Sequence, residues 1–236
     1  MVQSAGVRVP ADRRFFSFMA VACAAVVFIG FSRTFYLRFL SGEAPLSTLL
    51  LVHGVVFTAW IVLLLVQVRL VAAHRTDIHR TLGQAGVVLA LLMVGLGMSV
   101  ALEGARLGHH PEAFPDALSF LVIPIGDITM FAILVGLGWI WRRRPAAHKR
   151  LMLLATIGAL LPAALGRAPV IAGNVPRIVA VYAALLLIGP LYDFITRRRI
   201  HAAFWIGAPL LFISAPARLA LAKTDVWHRF AAWLVG

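Results

Sequence analysis

Apolar residues fill this chain in runs of about 20, the length that carries an α-helix across a bilayer. Short polar segments rich in arginine separate the runs. We read spans over 15–37, 46–73, 82–106, 117–141, 148–171, 177–196 and 200–222. Inside lipid the backbone has no water to bond, so each span must close its own hydrogen bonds as a helix. The strands of a membrane barrel would alternate polar and apolar residues, and these runs do not. The pattern therefore predicts an all-α, polytopic membrane helical bundle of about seven transmembrane helices, a single integral membrane domain over 1–236. Short connections predict that consecutive helices pack as antiparallel neighbours. Small residues in the third and fifth runs (Gly83, Gly86, Gly95, Gly97, Ala155, Gly158, Ala159) permit close helix contacts. After the last run, Trp227, Phe230, Ala231 and Leu234 fall at i, i+3, i+4 and i+7. That spacing fits a short C-terminal helix lying in the membrane interface, or equally a frayed end of the seventh span.

Charge orients the bundle. Of the 22 lysines and arginines, 14 fall in the N-terminal segment and in the connections that lie on the same side of the membrane. The positive-inside rule then places the N-terminus in the cytoplasm of a bacterial inner membrane. Trp139, Trp141 and Trp205 sit near the same ends, as an interfacial aromatic belt should. The formal charge of +13 in a chain that is 61% hydrophobic thus reflects topology and anionic lipid headgroups, with no soluble basic surface for nucleic acid. The single cysteine, Cys23, lies inside the first run and cannot form an intramolecular disulfide. Arg8, Arg13 and Arg14 before that run resemble a signal-peptide n-region. The run is long, however, and Ala22-Cys23-Ala24 is a poor cleavage site, so we expect an uncleaved first helix.

A motif recurs where spans 3, 5 and 7 begin: Arg75-x-x-x-His79, Arg144-x-x-x-His148 and Arg197-x-x-x-His201. Anchoring at headgroup depth accounts for each histidine taken singly, because imidazole is amphipathic and arginine snorkels. Three at one depth on alternate helices also fit a shared role. Two imidazoles make the axial pair of a b-type haem, and three make a metal site. The flanking bases disfavour a bare cation but suit an anion, such as a lipid phosphate or a haem propionate. His74 reads as plain loop.

Ionisable groups inside spans are costly and default to functional hypotheses. His53 and Gln67 lie in the second run, and Asp127 lies ~15 Å into the fourth, too deep for its short side chain to reach water. Arg33, Glu103, Arg167 and Arg218 sit toward the outer ends of their spans, where snorkelling explains them as well. Pro162 and Pro169 bracket Arg167, and Pro209 and Pro216 precede Arg218. Proline frees carbonyls, which is tolerated where backbone lines a cavity. We therefore expect a ligand pocket in the outer half built from Arg33, His53, Asp127, Arg167 and Arg218, for a carboxylate, phosphate or quinone oxygen. The outer loop carries His109, His110, Glu112 and Asp116, which read as solvated or as a divalent-metal site. No P-loop, dinucleotide fingerprint, HExxH or nucleophile elbow is present.

One stretch carries a resemblance. His53-Gly54, Phe57-Thr58-Ala59-Trp60, Gln67, Leu70-Val71 and His79-Arg80-Thr81-Leu82-Gly83 resemble a family of largely uncharacterised bacterial inner-membrane proteins of about seven helices. Their pattern has an early histidine, a later glutamine and His-Arg-x-Leu-Gly at the next helix start. The resemblance implies membrane class and a role for His53, Gln67, His79 and Arg80, and brings no activity. Three functions stay open. The chain is a redox-associated protein binding haem, metal or quinone through His79, His148, His201 and His53. Alternatively it is a carrier or receptor of a small anionic or lipid-like molecule, or an accessory subunit of a membrane complex.

Overall fold

The computed structural model describes residues 5–40, 42 and 44–236. Among the described residues eight α-helices follow one another: α1 Ala5–Phe31, α2 Thr48–Ala72, α3 Thr76–Arg106, α4 Ala117–Ile140, α5 Pro145–Arg167, α6 Val175–Arg197, α7 Ala202–Leu221 and α8 Asp225–Val235. The first seven are long and apolar enough to cross a membrane. This is an integral, multi-pass membrane protein. The side chain of Arg8 lies outside the described residues.

Helix α5 is the axis of the bundle and packs against α1, α4, α6 and α7. Most of its residues are buried, from Ala147 to Leu165. It is less hydropathic than α2, which lies at the edge of the bundle. The difference has a physical cause: α5 carries Arg150 and Thr156, and protein shields these groups from lipid while α2 meets it. Trp60 of α2 still reaches the axis, donating from its indole nitrogen to Thr156 Oγ1 at 3.1 Å. Consecutive helices α2 to α7 pack as neighbours, as expected from their short connections. Leu63 fits over Gly86 and Ile128 over Gly97.

Several ends differ from the hydropathy pattern, each for a local reason. Helix α3 begins at Thr76, not 82, because its first polar turn lies beyond the apolar run. Helix α5 stops at Arg167, not 171. Ala168 precedes Pro169 and takes the extended backbone (ψ 123°) that proline imposes on its predecessor. After Phe31 the chain of α1 widens into a π-helical turn, Ser32–Tyr36, closed by the Leu37 N–H on Ser32 O at 2.7 Å.

The C-terminal segment is a helix in its own right, not a frayed end of α7. Thr224 caps it, accepting from the Trp227 N–H at 3.2 Å. Trp227 and Ala231 face α3 and α4, and the Trp227 indole donates to Leu118 O at 2.8 Å. Phe230, placed on the same stripe by its spacing, points away together with Val226 and Trp233.

Candidate functional site

The arginine–histidine repeat is threefold in sequence but twofold in structure. Arg75 is the N-cap of α3 and Arg144 the N-cap of α5, so His79 and His148 are each the fourth residue of a helix. Their rings meet with centroids 6.2 Å apart and planes at 82°. His148 Nδ1 lies 2.9 Å from Gly138 O at the end of α4. A carbonyl only accepts, so this nitrogen carries the proton and Nε2 presents a lone pair. Gln67 of α2 donates from Nε2 to His79 O at 3.2 Å, with Gly83 packed beside its amide. His79 Nδ1 and Gln67 Oε1 are buried and have no hydrogen-bond partner.

His201 does something else. It is the N-cap of α7, and its Nδ1 accepts from the Ala203 N–H at 3.1 Å. Its own N–H donates to Asp193 Oδ2 at 3.1 Å. Burial, and then the Arg150 charge, hold its pKa below the ordinary histidine value. The third Arg-x-x-x-His falls out of register because Arg197 ends α6, leaving only a short turn before α7. Among the described residues no three histidine, cysteine or acidic groups are arranged to hold a metal ion.

Beside the histidine pair lies a charged network that the sequence pattern did not reveal. Arg150 is fully enclosed, and its guanidinium is gripped by both carboxylate oxygens of Asp193, itself fully buried. Arg150 Nη1 donates to Ala146 O at 2.7 Å, and the rings of Phe16 and Phe204 flank the cation at 5.8 and 5.6 Å. Asp12 of α1 accepts from Lys149 and Arg197 at 2.5 Å each and from Tyr192 Oη at 2.8 Å. Four helices are tied at this end. The available signal was an acid, Asp193, inside the sixth apolar run and four residues before Arg197. At the same end, His74 adopts a left-handed backbone (φ 61°) and accepts from Arg13 at 2.7 Å.

The residues expected to share one outer pocket separate into three places. Asp127 pairs with Arg218 at 2.6 Å, and the guanidinium also donates to Ile123 O at 2.8 Å and Ser214 O at 3.2 Å. Gly126 makes this possible: any Cβ there would run into the Arg218 side chain. Arg167 and His53 form a second group, with Arg167 close enough for its charge to act on the imidazole. Arg33 stands exposed on the π-turn. Glu103, His109, His110 and Glu112 are exposed too. Asp116 caps α4, accepting from the Ser119 N–H at 2.8 Å and Oγ at 2.7 Å. Burial works to raise its pKa, but these bonds outweigh it and hold the carboxyl below the usual range. Compared with known proteins, the chain matches no family model, and no curated protein or solved structure is significantly similar to it.

Proposed function

We propose that this chain is a redox-associated protein of a bacterial inner membrane, and that His79 and His148 are the residues that would hold a b-type haem at the cytoplasmic edge. One observation carries the reading: two half-buried imidazoles face one another, and the one whose proton is fixed offers a lone pair. The separation of 6.2 Å is that of two rings sharing one ion, since two metal–nitrogen bonds of ~2 Å and a ring radius on each side come to about 6 Å. The donor set fits an iron porphyrin better than a bare ion. Arg75, Arg80 and Arg144 flank the two histidines along the chain, and bases there disfavour a free cation while suiting propionates.

Haem bound there supplies one-electron chemistry. The chain's own groups have simpler tasks. His79 and His148 would hold the iron. Gly138 O fixes the His148 tautomer and ring direction, as carbonyls behind ligating histidines do. His79 Nδ1 as donor and Gln67 Oε1 as acceptor are chemically complementary but unbonded in this structure, and a bond between them when the site is filled would let Gln67 orient the ring. The inner-membrane location rests on the basic residues of this end and on the resemblance around His53, Gln67 and His79-Arg80.

The test is an optical spectrum with metal analysis on protein purified in mild detergent after expression with haem precursor. We expect a low-spin spectrum of one haem per chain, lost in His79→Ala and in His148→Ala and kept in His201→Ala. A folded, colourless, metal-free protein that takes up no added haem overturns the proposal. Metal without porphyrin, or a quinone recovered with the wild type and missing from His79→Ala, would replace haem by that ligand at the same pair. Recovery of a stoichiometric membrane partner, unaffected by any histidine variant, would favour the accessory-subunit role instead.

A further inference from the structure

We propose a second site, at the opposite end of the bundle, that binds an oxyanion group of the phosphate class through Arg167 and His53. Three elements meet there. The end of α1 lies against α5 so closely that a Cβ on Gly30 would collide with the Ala164 backbone, one turn before Arg167. The π-turn that follows lays the Phe35 ring onto Gly54 of α2, next to His53, where no side chain would fit. Tyr36 Oη is then fastened to Thr58 Oγ1 at 2.9 Å. The widened turn thus joins the ends of α5 and α2, and π-turns inside helices recur at functional sites.

The polar groups gathered at this junction are only partly satisfied by the described protein residues, and Arg167 is exposed. Arg167 lies over the Phe31 ring at 5.3 Å and donates from Nη1 to its own helix, at Ala163 O, 3.1 Å away. Its other nitrogens have no protein acceptor among the described residues. Arg218, toward the same end of the bundle, is already satisfied by Asp127. His53 stacks on Phe57 at 4.0 Å, and its Nδ1 is buried with no partner. An exposed guanidinium with planar donors left over, lying on one aromatic ring and near an imidazole with one unpartnered nitrogen, can recognise an oxyanion. Placed at the membrane edge, it can take that group from a lipid headgroup or from a free phosphate.

Two measurements on the full chain separate these sources. Inorganic phosphate is titrated calorimetrically into protein in an uncharged detergent. Retention of phosphatidylglycerol is read by native mass spectrometry from nanodiscs of phosphatidylcholine doped with that lipid. For a free-anion site, phosphate binds and weakens at least tenfold in Arg167→Gln and His53→Gln. For a headgroup site, phosphatidylglycerol is retained by the wild type and lost in the same two variants. Arg33→Gln, exposed on the π-turn, leaves either result unchanged, and Arg167→Lys, which keeps the charge, retains part of the binding. Failure of the wild type to hold either probe, or equal binding by wild type and Arg167→Gln, overturns the proposal.

Discussion

Of the arginine–aspartate pairs that tie this bundle together, two, one toward each end, are built differently. At the basic end, Asp193 grips Arg150 with both oxygens, and neither side chain is exposed at all. Arg197 adds a second cation at 3.4 Å, the His201 N–H a further donor, and two phenyl rings close the cage. Toward the other end, Arg218 meets Asp127 through one nitrogen, and the side chains remain 14% and 12% exposed. Its remaining bonds go to backbone carbonyls. The first pair is a sealed joint on the central helix. The second is a strap laid over the face of α4, dependent on the missing side chain of Gly126. Sealing decides what a broken partner costs, because an orphaned charge is expensive in proportion to its distance from water.

The largest effect should come from opening the sealed joint. Arg150→Met removes the two-pronged partner of buried Asp193, leaves it only Arg197 at 3.4 Å as counter-charge, and should destabilise the bundle by about 3–5 kcal/mol. Arg150→Met/Asp193→Leu should recover most of that loss. Thermal unfolding in detergent measures both, and a double variant no more stable than the single one would show that the pair does more than compensate its own burial.

Breaking the strap should cost less. Asp127→Asn keeps a hydrogen-bonding oxygen and leaves Arg218 its two carbonyls, so we expect about 2 kcal/mol. An equal or larger loss than for Arg150→Met would erase the distinction between the pairs. Gly126→Ala tests the strap without touching a charge. The added methyl must push the Arg218 side chain aside, at about 1–2 kcal/mol. Its effect should vanish in an Arg218→Met background.

The smallest effect concerns pH at the sealed end. His201 has a lowered pKa in the folded state, so the folded protein binds fewer protons than the unfolded chain. Stability is then unaffected above the ordinary histidine pKa of ~6.5 and falls as pH drops below it, until the folded-state pKa is passed. His201→Asn keeps a capping acceptor that cannot titrate. Melting temperature followed from pH 7.5 to 5 should decline less in this variant than in the wild type.

The sequence carried some of this plainly. Asp127 was legible as a group that needed a partner, because a short acid deep in an apolar run has no route to water. Which arginine answers it was not legible: Arg33, Arg167 and Arg218 stand at similar depth, and only the crossing of α7 over Gly126 selects Arg218. His79 and His148 were legible as a repeated pair. Excluding His201 from that pair required knowing that α6 runs to Arg197 and that a short turn converts the third histidine into a cap. Asp12 and Asp193 went unread, because each lies near bases that topology already explained.

Taken by itself, the chain determined its number of spans, their helical form and the gathering of basic residues at one end. These follow from lipid as solvent: the backbone must bond to itself, and the cost of exposing charge acts residue by residue. Tertiary structure alone decided which helix is central and therefore which charges are sealed. A buried ion pair depends on two residues far apart in sequence, 43 positions for Arg150 and Asp193 and 91 for Asp127 and Arg218. No local pattern holds that information, since an arginine that snorkels and an arginine that is enclosed have the same neighbours along the chain.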